Sequence, residues 1–572
     1  MVSGGEIVAG VLERRGVGTL FTLCGGHISP ILVESKRRGL RVIDVRDEAS
    51  AVFAADAYAR LTGIPGVAAV TAGPGVTNTV TAIKNAQLAQ SPLVLLGGAA
   101  ATMLKGRGAL QDIDQIALLR SAVKWSISVT RIRDLEELVE QAFIKALEGV
   151  PGPTFVECPV DVLYPEVTVR EWYAKGASGG GGIRDTVRQW YLERHLKRLF
   201  TGGDRAFTVD HAPALHVNDA DVRRAGELLD SASRPVMLVG SQAMLRTAAV
   251  GELAEAIDVL GVPTYLSGMA RGLLGAQHPL LYRHKRRQAF RDADLVLLAG
   301  VPMDFRLDYG SQINRKASLI SVNRSRAEAE LNRRPTLTCV SDPSLFLERL
   351  GAAARPRRAS WLEQLNARER ERNDEIRQMS EREGEYVNSL YLLRCVDAHL
   401  PDDSVLILDG GDFAASASYT IAPRRPLSFL DPGVYGTLGV GGGLALGAKS
   451  VRDNAETWIF YGDGSAAFSI AEFDTFVRHG LPVIGLVGND GAWTQIARGQ
   501  EEMLGDDVGT VLRRTDYHRV AQGYGAVGIL VETAEEVEPA ILKAQRLARS
   551  GKPVLINALI DAGDFRAGSI SI

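Results

Sequence analysis

The sequence predicts an α/β protein built from three doubly wound parallel-sheet domains. Three observations carry that prediction: a length of 572 residues, short apolar runs alternating with amphipathic stretches from the start, and glycine turns where several of those runs end. At roughly 100–200 residues per domain, the length accommodates about three hydrophobic cores. Hydrophobic residues make up 46% and charged residues 23%, a balance that excludes a largely disordered chain. The formal charge of −3 offers no footprint for nucleic acid or an anionic membrane, and neither is expected as a partner. Cys24, Cys158, Cys339 and Cys395 lie far apart without a C-x-x-C pair. That spacing fits a reducing, cytoplasmic setting and neither a disulfide framework nor a zinc site. Residues 1–6 lack the features of a secretory signal, and no apolar run approaches the roughly 20 residues that span a bilayer.

In chain order, the first block (1–165) is expected to carry strands at 19–23, 41–45, 67–71, 93–96 and 154–158, with a helix over 49–61. Residues 166–216 read as a linker with one helix, interrupted by the glycines 179–182. The second block (217–350) shows strand runs at 236–239, 295–298 and 319–322. Residues 351–385 are dense in Glu and Arg at helical spacing and read as a solvated connecting helix. In the third block (386–558), strands are expected at 405–408, 458–461, 483–487 and 554–558, before a tail at 559–572. Blocks one and three share a layout. Gly73-Pro74-Gly75 follows a strand and Pro92 opens the next, while Gly462-Asp463-Gly464 follows a strand and Pro482 opens the next. The parallel hints at an internal duplication.

Residues 458–490 carry the chemistry. Gly462-Asp463-Gly464-Ser465 is a glycine turn opening a helix, which lets backbone N–H groups approach phosphate while the helix dipole favours its charge. Asp463 and Asp490 both fall at the C-terminal ends of strands, where open α/β sheets bind ligands. Mg²⁺ takes one or two carboxylates together with phosphate oxygens, so these residue types point to a magnesium-clamped diphosphate.

A Gly-Asp-Gly after one strand and an Asn after the next, spaced as Gly464 and Asn489 are, resembles the signature of thiamine diphosphate enzymes. The resemblance implies thiamine diphosphate and Mg²⁺ as cofactors, with Asp463, Asp490 and the Ala492 carbonyl as metal ligands. It places Gly462, Gly464 and Ser465, with Gly411, Asp412 and Phe413, around the diphosphate. Asp490 departs from the Asn usual at its position. Glu48, at the head of the 49–61 helix, resembles the glutamate that activates the coenzyme through its aminopyrimidine, and Gly73, Pro74 and Asn78 match the pyrimidine-side loop. Tyr435-Gly436-Thr437-Leu438-Gly439 resembles the stretch that bends the coenzyme. Leu438 would be the wedge, and the Gly436 carbonyl the acceptor for the 4′-amino group.

The block order resembles the acetolactate synthase and oxalyl-CoA decarboxylase group. Within it, Cys24–Pro30, Gly106–Gln111, Gly268–Gly275, Asn489–Ile496 and Asp564–Ser569 resemble the acetolactate-synthase-like 2-hydroxyacyl-CoA lyases. The implied activity is cleavage of a 2-hydroxyacyl-CoA thioester to formyl-CoA and an aldehyde or ketone, reversibly. His27 is then the candidate base near neutral pH, and Gln111 a substrate-facing residue. Ile28, Leu110, Trp493 and Thr494 would border the acyl pocket. The family's arrangement implies a homodimer at least, and commonly a homotetramer. In the central block, strand 319–322 ends in Asn323-Arg324, without the carboxylate that would hold the ribose of FAD. Asn323 and Arg324, with Arg283, Lys285, Arg286 and Arg287, suit ADP or the nucleotide end of coenzyme A. The tail is expected to close over the active site. Two alternatives stay open: an FAD-containing acetolactate synthase-type carboligase acting on 2-oxo acids, and a non-catalytic coenzyme-binding subunit.

Overall fold

Short apolar runs flanked by turns are buried on both faces only in a parallel sheet covered by its own crossover helices. In the computed structural model each block forms one such six-stranded sheet. The structure describes residues 2–175, 183–201, 213, 215–352 and 358–567. The glycines 179–182 and the end of the tail, 568–572, therefore lie outside the described residues.

The first sheet contains β1 (Thr19–Leu23), β2 (Arg41–Asp44), β3 (Gly66–Val70), β4 (Leu93–Ala99), β5 (Trp125–Ser128) and β6 (Pro153–Pro159), in the order β2-β1-β3-β4-β6-β5. The second contains β7 (Pro235–Val239), β8 (Thr264–Leu266), β9 (Leu281–Tyr282), β10 (Leu295–Ala299), β11 (Ser318–Asn323) and β12 (Leu337–Val340), in the order β12-β11-β10-β7-β8-β9. The third contains β13 (Val405–Leu408), β14 (Phe429–Leu430), β15 (Thr457–Gly462), β16 (Ile484–Asn489), β17 (Val527–Val531) and β18 (Val554–Leu559), in the order β14-β13-β15-β16-β18-β17. Strand for strand, the first and third sheets have the same order, which supports the duplication hinted at by their glycine turns. The second sheet, read from β9, follows the 3-2-1-4-5-6 order of dinucleotide-binding folds.

The expected strands are present, most ends shifted by a residue, while β4 runs three residues and β16 two residues past their expected ends. The structure adds β5, β8, β9, β12, β14 and β17, which the apolar pattern did not reveal. The linker carries two helices, Glu166–Lys175 and Ile183–Phe200, where one was expected. Arg170 joins them by pairing with Glu166 and Glu193. The connecting segment forms the helix Ala359–Ser380.

The chain divides into two compact units, 1–59 with 64–213, and 60–63 with 214–572. In the first, Val67, Val94 and Val156 from the sheet pack with Val11 and Phe143 of the covering helices. In the second, Trp458, Phe460 and Leu486 form the centre of the third sheet's core. Burying a side chain of Phe or Leu size contributes about 1.5–3 kcal/mol, so these sheets rigidly fix the loops at their ends.

Candidate active site

In the third sheet the strand order reverses between β13 and β15, and a crevice opens there at the strands' C-terminal ends. The turn after β13 is Gly410-Gly411; the turn after β15 is Gly462–Ser465. They are stitched together: the Gly462 N–H and the Ser465 hydroxyl both donate to the Gly410 carbonyl, at 3.2 and 3.0 Å. Gly411 has φ +98° and starts the helix Asp412–Thr420, while Gly462 precedes the helix Asp463–Ser469. Gly464 is fixed by its neighbour. A Cβ there would lie 2.4 Å from the Trp493 ring, so Trp493 packs closely against this glycine turn. Phe413 likewise packs on Gly488 and belongs to the core.

Asp463 accepts from the N–H groups of Gly464 and Gly491 at 2.7 and 2.8 Å. The Tyr517 hydroxyl, unremarked in the sequence, donates to the Asp463 carbonyl at 2.7 Å. Asp490 accepts from the Thr494 hydroxyl. Burial, and then the nearby Asp490 charge, push Asp463 up to about 6; burial also raises Asp490. Two buried carboxylates that repel each other are the donor set a divalent cation relieves. Ala492 pairs with Val511 through Trp493 N–H to Thr510 and Leu512 N–H to Gly491, so its own carbonyl is not used in that pairing. All the donors are hard oxygens, as Mg²⁺ requires, and they fit it. Among the described residues no three His, Cys, Asp or Glu side chains converge as a metal cluster.

Leu438 is held from two sides. Its Cδ2 occupies the space that a Cβ on Gly410 would fill, at 2.0 Å. The amides that follow it, Gly439 and Gly441, donate to the two oxygens of Asp409 at 2.8 and 2.7 Å. Asp409 is buried, which pushes its pKa up to about 7. Gly436, at φ +64°, precedes this stretch.

The first unit has the equivalent reversal between β1 and β3. His27 stands after β1, its Nδ1 3.2 Å from the Thr71 hydroxyl beyond β3. Burial lowers its pKa, leaving the imidazole neutral at pH 7. Glu48 opens the helix Glu48–Thr62, is 7% exposed, and accepts from Asn78 Nδ2 at 3.0 Å. Gly73 (φ +60°) and Pro74 start the short helix that ends at Asn78. Gln111, itself at φ +62°, lies against Gly73. Leu110 is 83% exposed on the same loop, whereas Ile28 is fully buried in the core rather than open to a pocket of this chain.

In the second sheet Asn323, at the end of β11, accepts from Gln242 and the Ser325 N–H, and its Nδ2 has no partner. The Arg324 guanidinium is paired with Asp342 at 2.5 Å. The remaining basic residues gather elsewhere, around a cavity of about 340 Å³ that includes Arg271, Arg283, Lys285, Arg286, Arg287 and Arg372. Its far wall is the C-terminal end of the helix Asp412–Thr420. Arg271 donates to the Ser418 carbonyl at 2.7 Å, and Arg283 to those of Tyr419 and Ile421 at 2.9 and 2.7 Å. The tail joins the two ends of this helix. Arg498 pairs with Asp412 at 3.3 Å and donates to the Gly563 carbonyl at 2.7 Å. Phe565 then stacks edge-on against Tyr419, beneath Arg372.

Comparison with known proteins agrees with this geometry. The thiamine pyrophosphate enzyme N-terminal TPP binding domain matches residues 2–118, the central domain 222–350, and the C-terminal TPP binding domain 409–558. The chain is 48% identical to "2-hydroxyacyl-CoA lyase 2" of Danio rerio over 100% of this chain and 93% of that protein. It is 47% identical to the protein of the same name from Homo sapiens, over 100% and 92%. A "Probable acetolactate synthase" of Mycobacterium bovis is 32% identical over 97% and 95%.

Proposed function

The chain belongs to the thiamine pyrophosphate enzyme family, beside its 2-hydroxyacyl-CoA lyases, and from that premise we propose that it is a lyase splitting a 2-hydroxyacyl-CoA into formyl-CoA and an aldehyde or ketone, reversibly. The observation that carries the CoA reading is the basic cavity. The helix Asp412–Thr420 separates it from the diphosphate turn by nine residues, about 13 Å at 1.5 Å per residue. A thioester whose acyl end lies at the coenzyme has a pantetheine arm long enough to bring its phosphates to such a cavity. The cations there have carboxylate partners, Lys285 with Glu371 and Glu375, Arg287 with Asp308 and Arg372 with Glu375, which incoming phosphates would share or replace.

Thiamine diphosphate, when bound, supplies the electron sink for carbon–carbon cleavage. The protein's residues orient it and move protons. Asp463, Asp490 and the Ala492 carbonyl would hold Mg²⁺ against the diphosphate, with Gly462, Gly464, Ser465 and the Gly411 turn lining the space around it, their shape held by the bonds to Gly410 and Asp463. Glu48 would hydrogen-bond the pyrimidine ring nitrogen, and Leu438 would pack against the coenzyme. The Thr71 hydroxyl engages His27 Nδ1, so Nε2 is left to take the substrate hydroxyl proton. If so, kcat/KM should fall on acidification through a pH below the ordinary imidazole range, because burial lowers the His27 pKa and protonated His27 accepts no further proton. His27→Ala should remove that limb from the pH–rate profile, and a limb that survives the substitution would exclude this role.

We assign ADP, rather than FAD, to the second sheet, because β11 ends in Asn323 without a carboxylate for a flavin nucleotide's ribose. Each coenzyme is assigned to two subunits of a homodimer, itself paired into a tetramer. Phe468, Leu504, Val508 and Val511, exposed by 63–77% near the diphosphate turn, support a subunit contact. No helix among the described residues is long and apolar enough to cross a membrane, and the free thiols support a cytoplasmic setting.

The test is incubation with formyl-CoA and either an aldehyde or a ketone, with pyruvate as control. A 2-hydroxyacyl-CoA product is expected, and FAD-dependent acetolactate from pyruvate would overturn the reading in favour of a synthase. Lys285→Ala with Arg287→Ala should raise KM for the CoA thioester about tenfold, roughly 1.4 kcal/mol. The same pair should leave a pantetheine thioester lacking the nucleotide unaffected. Equal effects on both substrates would place the phosphates elsewhere.

A further inference from the structure

β6 contains a charged residue with no place in a structural core. Glu157 is fully buried, and its carboxylate gathers the Lys105 ammonium, the Ser128 hydroxyl and, at 2.9 Å, Gln115 Nε2. Burying such a charge costs several kcal/mol before its partners are counted, so its contacts are informative. Gln115 is itself 1% exposed. Its Nε2 also donates to the Gly98 carbonyl at 3.0 Å, while its Oε1 accepts from the Gly73 N–H at 2.9 Å. Both protons of the amide nitrogen are thus committed to acceptors.

An amide can occupy such a site in two orientations, and Glu157 together with the Gly98 carbonyl selects one. A carboxylate only accepts, so the –NH₂ must face it, and the oxygen must then face Gly73. Gly73 opens the short helix whose other end, Asn78, donates to Glu48 at 3.0 Å. The ammonium on Glu157 comes from the loop that also carries Gln111, which packs on Gly73. Glu157 therefore ties the loop bearing Gln111 and the turn orienting Glu48 to one buried anion.

We propose that Glu157 and Gln115 are positioning residues for coenzyme activation: Glu157 fixes the Gln115 amide, which fixes the Gly73 turn and thereby the Asn78–Glu48 contact. The inference rests on the assignment of Glu48 as the activating acid. Lys105 supplies the counter-charge to the Glu157 carboxylate.

The experiment follows hydrogen–deuterium exchange at the thiamine C2 position, per bound coenzyme, in the holoenzyme. Gln115→Ala and Glu157→Gln should each slow exchange and kcat tenfold or more while changing KM less than threefold. A purely structural role would lower coenzyme content or thermal stability and leave the rate per bound coenzyme intact. In the double variant, Glu157→Gln should add little to Gln115→Ala, because it acts through that amide. Lys105→Met, on the exposed loop, gives a milder version should Gln115→Ala fail to fold, with slower exchange again expected. Exchange within twofold of the parent in the folded variants, or fully multiplicative losses in the double variant, would overturn the proposal. Glu48→Gln serves as the control. If it too exchanges normally, the activation assignment itself fails; if it alone is slow, only the positioning roles fail.

Discussion

Glu48→Gln should give a folded protein that still binds thiamine diphosphate and Mg²⁺ but turns over at least a hundredfold more slowly. Gln is nearly isosteric, and its side-chain oxygen can still accept from Asn78, which now donates to Glu48 at 3.0 Å. Burial at 7% exposure means the substitution removes the carboxyl's proton site without opening a cavity. What is lost is a carboxyl proton at the pyrimidine nitrogen, and positioned acid–base groups contribute typically 10²–10⁴-fold. Steady-state rates and C2 hydrogen–deuterium exchange report the effect together. Activity above about a tenth of the parent would sink the assignment.

The second large effect is expected at Asp463. Asp463→Ala removes a metal ligand and also strips the Gly464 and Gly491 N–H groups of their acceptor, at about 1–3 kcal/mol for each buried donor left unpaired. The turn that should cradle the diphosphate loosens along with the metal. Coenzyme retained through gel filtration should disappear, together with activity, and excess Mg²⁺ should not restore it. Dialysis of the parent protein against EDTA should release coenzyme and activity in parallel, both returning with Mg²⁺. Coenzyme affinity indifferent to chelation would remove Asp463 and Asp490 from the metal site.

These expectations came from different depths of the sequence. The strand–turn–helix proposed for the diphosphate was legible because its residues are contiguous: Gly462–Ser465 closes one strand and opens a helix, and Asp490 follows the next strand. Glu48 was legible from its place at a helix start together with the neighbouring Gly73–Asn78 loop. The basic residues 283–287 were legible as a group, but their target was not. Only the fold shows that Arg324 is taken by Asp342 while Arg271 and Arg372 join the 283–287 group around one cavity. Trp493 could be placed just past the metal loop from sequence, yet its packing on Gly464 depends on how that loop turns back. Glu157 went unremarked inside an apolar run, although a lone carboxylate in a strand buried on both faces was the signal that could have found it.

The sequence by itself determined the central strands, the three parallel-sheet blocks and the contiguous motifs. A strand buried on both faces must be a continuous apolar run, and a phosphate turn must be glycine-rich, so each writes its own local pattern. The tertiary structure alone decided the strands whose pattern is broken, most of them at sheet edges. β5 is half-buried along its length, and β12 and β17 mix buried with partly exposed positions. The two-residue strands β9 and β14 are too short to show any period. It also decided every contact made by residues distant in the chain, from Glu157 to Gln115 and from Arg283 to Tyr419. Such partners are chosen by strand order and crossover geometry, and strand order is set by how helices cover a sheet rather than by any one segment of it.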